Sequence, residues 1–508
     1  MNDSGHKFLK RNIGLVLGLL SFLFILLFIK LEPGKPVITR AFAIAVLMAV
    51  WWTTEAIPLS ITALLPVVLF PLLGVLDGKE VSEAYFNHII FIFIGGFIMA
   101  LAIEKWNLHK RIALRILLWI GASPGRILLG CMLATSLLSM WISNTATAMM
   151  MIPIVTSIIF EIEGSLSKKD IYNYSTGLLL GIAYSASIGG IATLVGTPPN
   201  LICVRVMNIL YPDAPELMFN QWLLFAFPIT IIMFFIVWLL IKILFIKKIR
   251  LVNMSKESIK SQYQSMGKLS YEEKIVFILF ILLALLWIFR PGFKFNNFSI
   301  PGWATLFKHS KYINDGTVAI LISVVLFIIP SKSNGTKRIM DWKTANKLPW
   351  NIVILFGGGF ALAMGFEKSG LSLWLANQLT KGFDVNPLFY VLIIVTLMTF
   401  LTELTSNTAS TQMLLPIFAS MAVGLKINPM LFLIPVTLAA SFAFMLPTAT
   451  PPNAIVFGTN RVSISNMIRT GFVLNIIGIL IITLITYLLL SIVFNIEPYI
   501  LPDWAIVK

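Results

Sequence analysis

From residue 127 to residue 160 the chain carries no aspartate, glutamate, lysine or arginine. A helix built from such a stretch has no polar face to turn toward water, so it needs apolar surroundings on every side. The stretch is one of thirteen apolar runs, at 13–29, 41–57, 59–73, 88–103, 127–160, 175–210, 221–246, 275–289, 316–330, 351–366, 388–425, 429–460 and 471–494. At ~20 residues per helical crossing, the chain passes through a bilayer roughly ten to twelve times. Composition agrees, with 58% hydrophobic and 12% charged residues. A soluble globular domain has ~45–50% and ~25%. A soluble enzyme, a disordered chain, a collagen and a disulfide scaffold are excluded.

Loop charges give orientation. The run at 13–29 is longer than a signal-peptide core and has no small-residue cleavage site after it. It reads as a first span, with Lys7, Lys10 and Arg11 holding the N-terminus in the cytoplasm. The longest polar interruption, 247–274, carries Lys247, Lys248, Arg250, Lys256, Lys260, Lys268 and Lys274, and reads as a cytoplasmic linker. The formal net charge of +16 reflects such loops. No basic face with interleaved aromatic readers exists, so nucleic acid is not a partner. The lipid bilayer is, and the protein is expected to be multi-pass in the cell membrane with its C-terminus outside.

The two halves repeat. FIGGFIMALAIEK at 93–105 returns as FGGGFALAMGFEK at 356–368. At the same offset, Ser143-Asn144-Thr145-Ala146 falls on Ser406-Asn407-Thr408-Ala409, and Pro153 on Pro416. Further on, Thr197-Pro198-Pro199-Asn200 returns as Thr450-Pro451-Pro452-Asn453, ten residues closer to its companion motif. The flanking charge swaps sides. Residues 76–87 carry Asp77, Lys79, Glu80 and Glu83, whereas 331–349 carry Lys332, Lys337, Arg338, Lys343 and Lys347 against Asp341. Lys105, Lys110, Arg111 and Arg115 follow the first copy closely, and only Lys368 and Lys381 follow the second. The copies therefore cross in opposite directions, an architecture that places a transporter's site near the midplane, where the repeats meet. The expected organisation is N-terminal scaffold spans (1–87), a first inverted repeat (88–246), the linker (247–274), further scaffold spans (275–349) and a second inverted repeat (350–508).

Each Ser-Asn-Thr lies inside a long apolar run and is expected at the tip of a re-entrant hairpin, where Ser and Asn suit a cap. Irregular backbone at membrane depth is tolerated only where protein or water covers it. The paired prolines break the helix, so 196–200 and 449–453 are expected to be unwound crossings. Such breaks offer carbonyl oxygens to a cation and half-helix N-termini to an anion. Residues 127–160, 175–204 and 429–460 contain no charged side chain, and 385–425 contain only Glu403. An anion bound among these segments meets no fixed positive charge, so co-bound cations are its natural neutralisers.

Both Ser-Asn-Thr motifs, both Thr-Pro-Pro-Asn motifs, the stretch 441–454 (SFAFMLPTATPPNA) and the early WWTTEAIP at 51–58 resemble the divalent anion/Na+ symporter family. The resemblance spans essentially the whole chain. It implies an all-α polytopic membrane protein with about eleven transmembrane helices and two re-entrant hairpins. It also implies a homodimer and an elevator-type movement. The implied activity is Na+-coupled symport of C4 dicarboxylates such as succinate, fumarate or malate. Carried over by position, a first Na+ is held by Ser139, Ser143, Asn144 and Gly196, and a second by Thr402, Thr405, Asn407 and Ala449. The solute carboxylates meet Asn144, Thr145 and Thr197 from one half, and Asn407, Thr408 and Pro451 from the other. Some relatives are Na+-independent dicarboxylate exchangers with an altered second tripeptide; here it is intact, which favours the symporter.

Other classes lack their residues. No Walker A sequence exists, so ATP does not drive the protein. An intramembrane enzyme needs catalytic His, Asp or Cys at membrane depth, and the motif segments have none. Cys131 and Cys203 read as small buried hydrophobes, and His6, His88, His109 and His309 have no ligand spacing. Glu104 and Glu367, each preceding a lysine, read as interfacial or structural ion pairs. Glu403, three residues before the second Ser-Asn-Thr and replaced by Met140 in the first copy, is a candidate for tuning cation affinity. The glycines at 95–96 and 357–359 read as close helix contacts. Residues 109–115 with Trp119 read as an interfacial amphipathic helix.

Overall fold

The structure is a computed structural model that describes residues 2–121, 123–163, 166–247, 257–295, 298–333, 335, 337–379 and 386–506. Within the expected linker, Lys248, Arg250 and Lys256 lie outside the described residues, as does Lys381.

The chain is built of helices. The first, α1 (Asn2–Phe28), lies along α2 (Pro36–Thr54). They approach closely because Gly14 and Gly18 face Thr54 and Trp51. Proline opens α2 at its first helical position, where no N–H is needed. Glu55, in left-handed backbone (φ 51°), ends it. Three short helices follow, α3 (Leu59–Thr62), α4 (Leu65–Leu72) and α5 (Gly78–Tyr85). An Asp77–Glu80 capping box starts α5.

A series of seven helices then appears twice. The first is α6 (His88–Lys105), α7 (Leu108–Ile120), α8 (Pro124–Ser139), α9 (Asn144–Ile162), α10 (Lys168–Ile191), α11 (Pro198–Leu210) and α12 (Phe219–Ile241). Next come α13 (Glu257–Ser265) and α14 (Tyr271–Phe289), the antiparallel strands β1 (Gly292–Phe295) and β2 (Phe298–Pro301), α15 (Asp315–Ile328) and α16 (Trp342–Ala345). The hairpin is a small addition to the all-α reading. The second series is α17 (Trp350–Ser369), α18 (Leu371–Leu379), α19 (Pro387–Thr402), α20 (Asn407–Gly424), α21 (Met430–Ala439), α22 (Pro451–Phe457) and α23 (Ile464–Phe494). The residues missing between the second pair of motifs come out of α21, which has 10 residues where α10 has 24.

Among the described residues seven helices are long and apolar enough to cross a membrane, and others are shorter. At 1.5 Å per residue, α21 is about 15 Å long, half the apolar thickness of a bilayer. Glycines set the packing between the series and their neighbours: Gly95 against Ala319, Gly357 against Tyr85, Gly358 against Ala63 and Gly359 against Gln412. A Cβ at any of these would collide with its neighbour, as expected of close helix contacts.

Side-chain ties fix the relative direction of the two series. Lys105, at the end of α6, donates to Asp341 Oδ2 at 2.5 Å and to the Ile339 carbonyl at 3.1 Å. Asp341 caps α16, shortly before α17 begins. At the other end of α17, Gly370 lies beside Ile38 near the start of α2, and Trp374 donates to the Leu31 carbonyl. So α17 starts where α6 finishes, and the copies run in opposite directions. The same ties put the start of α17, the end of α2 and Arg11 on one side, together with the basic residues that follow α6.

The Lys105 ammonium, donating to Asp341, holds that carboxyl below the usual carboxylate range. Its folded value lies below its unfolded one, so the contribution is full above about pH 4 and is lost as pH falls through the lowered value. The carboxylate is partly exposed, which limits the effect to about 1 kcal/mol. Melting curves from pH 6 to pH 3 should show a steeper fall in Tm for wild type than for Asp341→Asn. Parallel curves would count against the tie.

One polar contact escaped the sequence pattern. The amphipathic helix α7 exposes Trp119 and buries Leu108, Leu114 and Leu117, but Arg111 lies on its buried face. Arg111 makes a bidentate pair with Glu273 (2.8 and 3.0 Å) and donates to the Gly267 carbonyl. A buried guanidinium needs this many acceptors to be tolerated.

Candidate functional site

Each Ser-Asn-Thr opens the second arm of a helix pair. Helices α8 and α9 meet at 140–143, and α19 and α20 meet at 403–406. Ser143 caps α9 by accepting from the Ala146 N–H at 3.2 Å. Behind the tip, Ser139 Oγ is 2.6 Å from Asn144 Oδ1 and 2.7 Å from the Ala186 carbonyl. In the second copy, Thr402 Oγ1 is 2.7 Å from Asn407 Oδ1 and 2.9 Å from the Ala440 carbonyl. Each trio holds three oxygens and a single hydroxyl hydrogen. Two such electron-rich clusters with no basic residue in them suit a hard cation.

The breaks fall elsewhere than the proline pattern suggests. Expected over 196–200 and 449–453, the non-helical segments are 192–197 and 440–450. Thr-Pro-Pro-Asn instead opens the next helix, with Thr197 and Thr450 as N-caps and Pro198 and Pro451 at the first helical position. The reason is that a first-turn proline gives up only an N–H that lacks an intrahelical partner. The effect of the prolines is felt upstream. The Gly196 and Ala449 carbonyls would look for N–H groups three and four residues ahead. Pro199 and Pro452 have none. The Asn200 N–H turns to the Thr197 carbonyl (3.2 Å) and the Asn453 N–H to Thr450 Oγ1 (3.3 Å). Among the described residues neither carbonyl receives a hydrogen bond.

Both tips and both breaks line one cavity of about 810 Å³. Ser143, Asn144, Thr145, Gly196 and Thr197 come from the first copy, and Thr405, Asn407, Thr408, Ala449 and Pro451 from the second. Ten of the twelve residues singled out above thus share its wall. Ser139 and Thr402 do not reach it; each is fully buried behind its asparagine. No charged side chain from the motif segments lines the cavity. Its charged residues are Arg11 and Glu55, both exposed, with Arg11 Nε donating to the Glu55 carbonyl at 3.0 Å. Among the described residues no group of His, Cys, Asp and Glu is arranged to hold a metal.

Glu403 is used differently from the expectation. Its carboxylate accepts from the backbone N–H groups of Phe444 (2.7 Å), Met445 (2.9 Å) and Leu446 (3.1 Å), and from Asn475 Nδ2 (2.7 Å). It faces the rear of the second break and joins hairpin, break and α23. In the first copy, where Met140 stands, a hydroxyl does a smaller version of this. Thr193 Oγ1 donates to the Met140 carbonyl (2.5 Å) and accepts from the Gly196 N–H (3.1 Å). Glu104 and Glu367 form no ion pair among the described residues, and Lys105 turns to Asp341 instead of to its neighbour.

Residues 10–496 match the family model described as the sodium:sulfate symporter transmembrane region. The chain belongs to this family. Similar proteins include the sodium-dependent dicarboxylate transporter SdcS of Staphylococcus saprophyticus, 43% identical over 491 residues, which covers 96% of this chain and 92% of the relative. SdcS of Staphylococcus aureus (strain MRSA252) is 43% identical over 493 residues, with the same coverage. Two solved structures share the fold. The YdaH transporter of Alcanivorax borkumensis has a TM-score of 0.54 at 15% identity, covering 88% of this chain and 98% of that one. MtrF of Neisseria gonorrhoeae has a TM-score of 0.59 at 13% identity, covering 93% and 97%.

The cavity wall also includes residues that the sequence did not assign. Trp52, Thr53, Thr54, Glu55, Leu59, Phe97 and Ile352 line the same cavity as the motifs. The WWTTEAIP stretch was the available signal, but nothing local says that it faces the repeats. Arg11 was legible only as a topology marker.

Proposed function

We propose that this chain is a secondary active transporter that carries C4 dicarboxylates such as succinate, fumarate or malate across the cell membrane together with Na+. The observation that carries the reading is the pair of oxygen-rich tips and breaks facing one cavity with no fixed cation among them. The relatives named for sodium-dependent dicarboxylate transport support it. An acid with two carboxylates entering a low-dielectric site needs its charge offset, and here the cargo cation itself supplies the offset. Na+ prefers hard oxygen donors, and the donors present are hydroxyls, amide oxygens and carbonyls freed by the prolines.

In this reading Ser139, Ser143, Asn144 and Gly196 hold one Na+, and Thr402, Thr405, Asn407 and Ala449 hold another. The carboxylates then meet the amides and hydroxyls of Asn144, Thr145, Thr197, Asn407 and Thr408, and the start of α22 at Pro451. Each asparagine amide serves both guests, oxygen toward the cation and nitrogen toward the anion, which couples the two occupancies. Arg11 and Glu55, both exposed, line the cavity. The side they share with the basic loops is the cytoplasm by the positive-inside rule, so in this reading the cavity is reached from the cytoplasm. The N-terminus is then cytoplasmic and the C-terminus outside. Alternation by an elevator-type movement and assembly as a homodimer belong to the same proposal.

The test is succinate uptake into proteoliposomes with and without an inward Na+ gradient. Uptake should rise at least about tenfold with the gradient and accumulate succinate against its own. Uptake that ignores Na+ but requires internal dicarboxylate would replace the symporter by an exchanger. Unsaturable flux would indicate a channel.

A further inference from the structure

Asn200 and Asn453, which end the two Thr-Pro-Pro-Asn motifs, have no part in the ligand sets above, yet both are fully buried. Asn200 Nδ2 donates to the Thr193 carbonyl at 2.7 Å, with the Gly190 carbonyl at 3.2 Å and the Ile191 carbonyl at 3.5 Å. Asn453 Nδ2 donates to the Ala443 and Leu446 carbonyls, each at 3.0 Å. Gly190 and Ala443, Thr193 and Leu446, and Asn200 and Asn453 are all separated by the same offset, 453 − 200 = 253. One tie is therefore built twice. In both copies the amide oxygen is buried without a partner. Burying an unmatched acceptor is unfavourable, and a leucine of similar size would not incur it. The tie is kept despite this penalty.

What each amide holds is a turn. The Thr193 carbonyl also accepts from the Gly196 N–H (3.4 Å), and the Leu446 carbonyl from the Ala449 N–H (3.2 Å). The last residue of each turn is thus the one whose own carbonyl the prolines leave free. In the first copy Gly190 is also wedged between site residues: a Cβ there would lie 2.5 Å from Asn144 Oδ1, and its carbonyl packs against Gly196. Pinning that carbonyl fixes the separation of Asn144 and Gly196.

We propose that Asn200 and Asn453 are positioning residues for the two Na+ sites, each clamping the turn 193–196 or 446–449 so that the Gly196 or Ala449 carbonyl faces its cation. The clamp touches neither cation nor acid. It acts on Na+ affinity and leaves the carboxylate contacts in place. This inference rests on the Na+ sites of the preceding section.

The experiment is a Na+ titration of succinate uptake in proteoliposomes for Asn200→Asp, Asn200→Leu, Asn453→Asp and Asn453→Leu. All four variants lack the amide donor and keep the branched shape and the number of side-chain heavy atoms. Each should raise the half-activating Na+ concentration about tenfold, the equivalent of one lost hydrogen bond to a buried carbonyl. The succinate KM at saturating Na+ should move less than about twofold. The Na+ concentration that raises Tm in detergent should shift by the same tenfold factor. An unchanged Na+ dependence in a folded variant overturns the proposal, as does an equal rise in succinate KM at saturating Na+. If neither substitution at a position folds, the residue is a determinant of the fold and the proposal falls there too. Ser143→Ala and Thr405→Ala separate the two levels. If they raise the Na+ requirement and the asparagine variants do not, only the clamp is wrong. If they also leave it unchanged, the Na+ sites themselves are wrong.

Discussion

Alanine at Asn144 or Asn407 should abolish Na+-driven succinate uptake, by at least about a hundredfold, in protein that still expresses and folds. The size of the effect follows from the double duty of each amide. Losing one oxygen at a cation and one donor at a carboxylate removes two hydrogen-bond-sized terms of about 1.5–3 kcal/mol each. The fold survives because the hydroxyl behind each amide has a second acceptor. Ser139 keeps the Ala186 carbonyl and Thr402 the Ala440 carbonyl, so no buried donor is stranded. Purified variants should elute and melt like wild type while proteoliposome uptake falls to background. Uptake within twofold of wild type in either one would remove that residue from the site.

Glu403→Ala should act in the opposite way, on the fold before the transport. The change strands the N–H groups of Phe444, Met445 and Leu446 and the Asn475 amide. At about 1–3 kcal/mol for each unsatisfied buried donor, the total approaches the whole stability of an ordinary domain, about 5–15 kcal/mol. Little folded protein should survive detergent extraction. Glu403→Gln is the milder variant. One oxygen can still accept from Phe444, Met445 and Asn475, but an amide NH₂ then faces the Leu446 N–H. A Tm several degrees below wild type is expected. If Glu403→Ala extracts and melts normally, the carboxylate is not the strut described here, and the cation-tuning role first read from its position returns.

How much of this was legible beforehand depended on whether a feature is local or requires a partner. The helices, their inversion and the two tips could be read because charge, hydropathy and repetition are written along the chain. The exact place of the breaks was not. Two prolines signal a discontinuity, but whether they sit within it or just after it depends on which N–H groups the neighbouring segments need, and first-turn geometry decides for the latter. Glu403 was visible as a charge at membrane depth, and Arg111 as one of the basic residues of an interfacial helix. Their partners are 41 to 72 and 162 residues away, and no periodicity points across such distances. The same holds for Thr53, Thr54 and Glu55, whose motif was recognisable while its orientation toward the cavity was not.

The unequal lengths of α10 and α21 have a kinetic corollary. Exchanging the two membrane faces does not regenerate the same molecule, because α10 is about 36 Å long and its counterpart α21 about 15 Å. For the transporter proposed above, loading on one face and unloading on the other are therefore governed by separate rate constants. The gradients still dictate where net movement stops, but the speed of uptake under one driving force says little about the speed of release under its reverse.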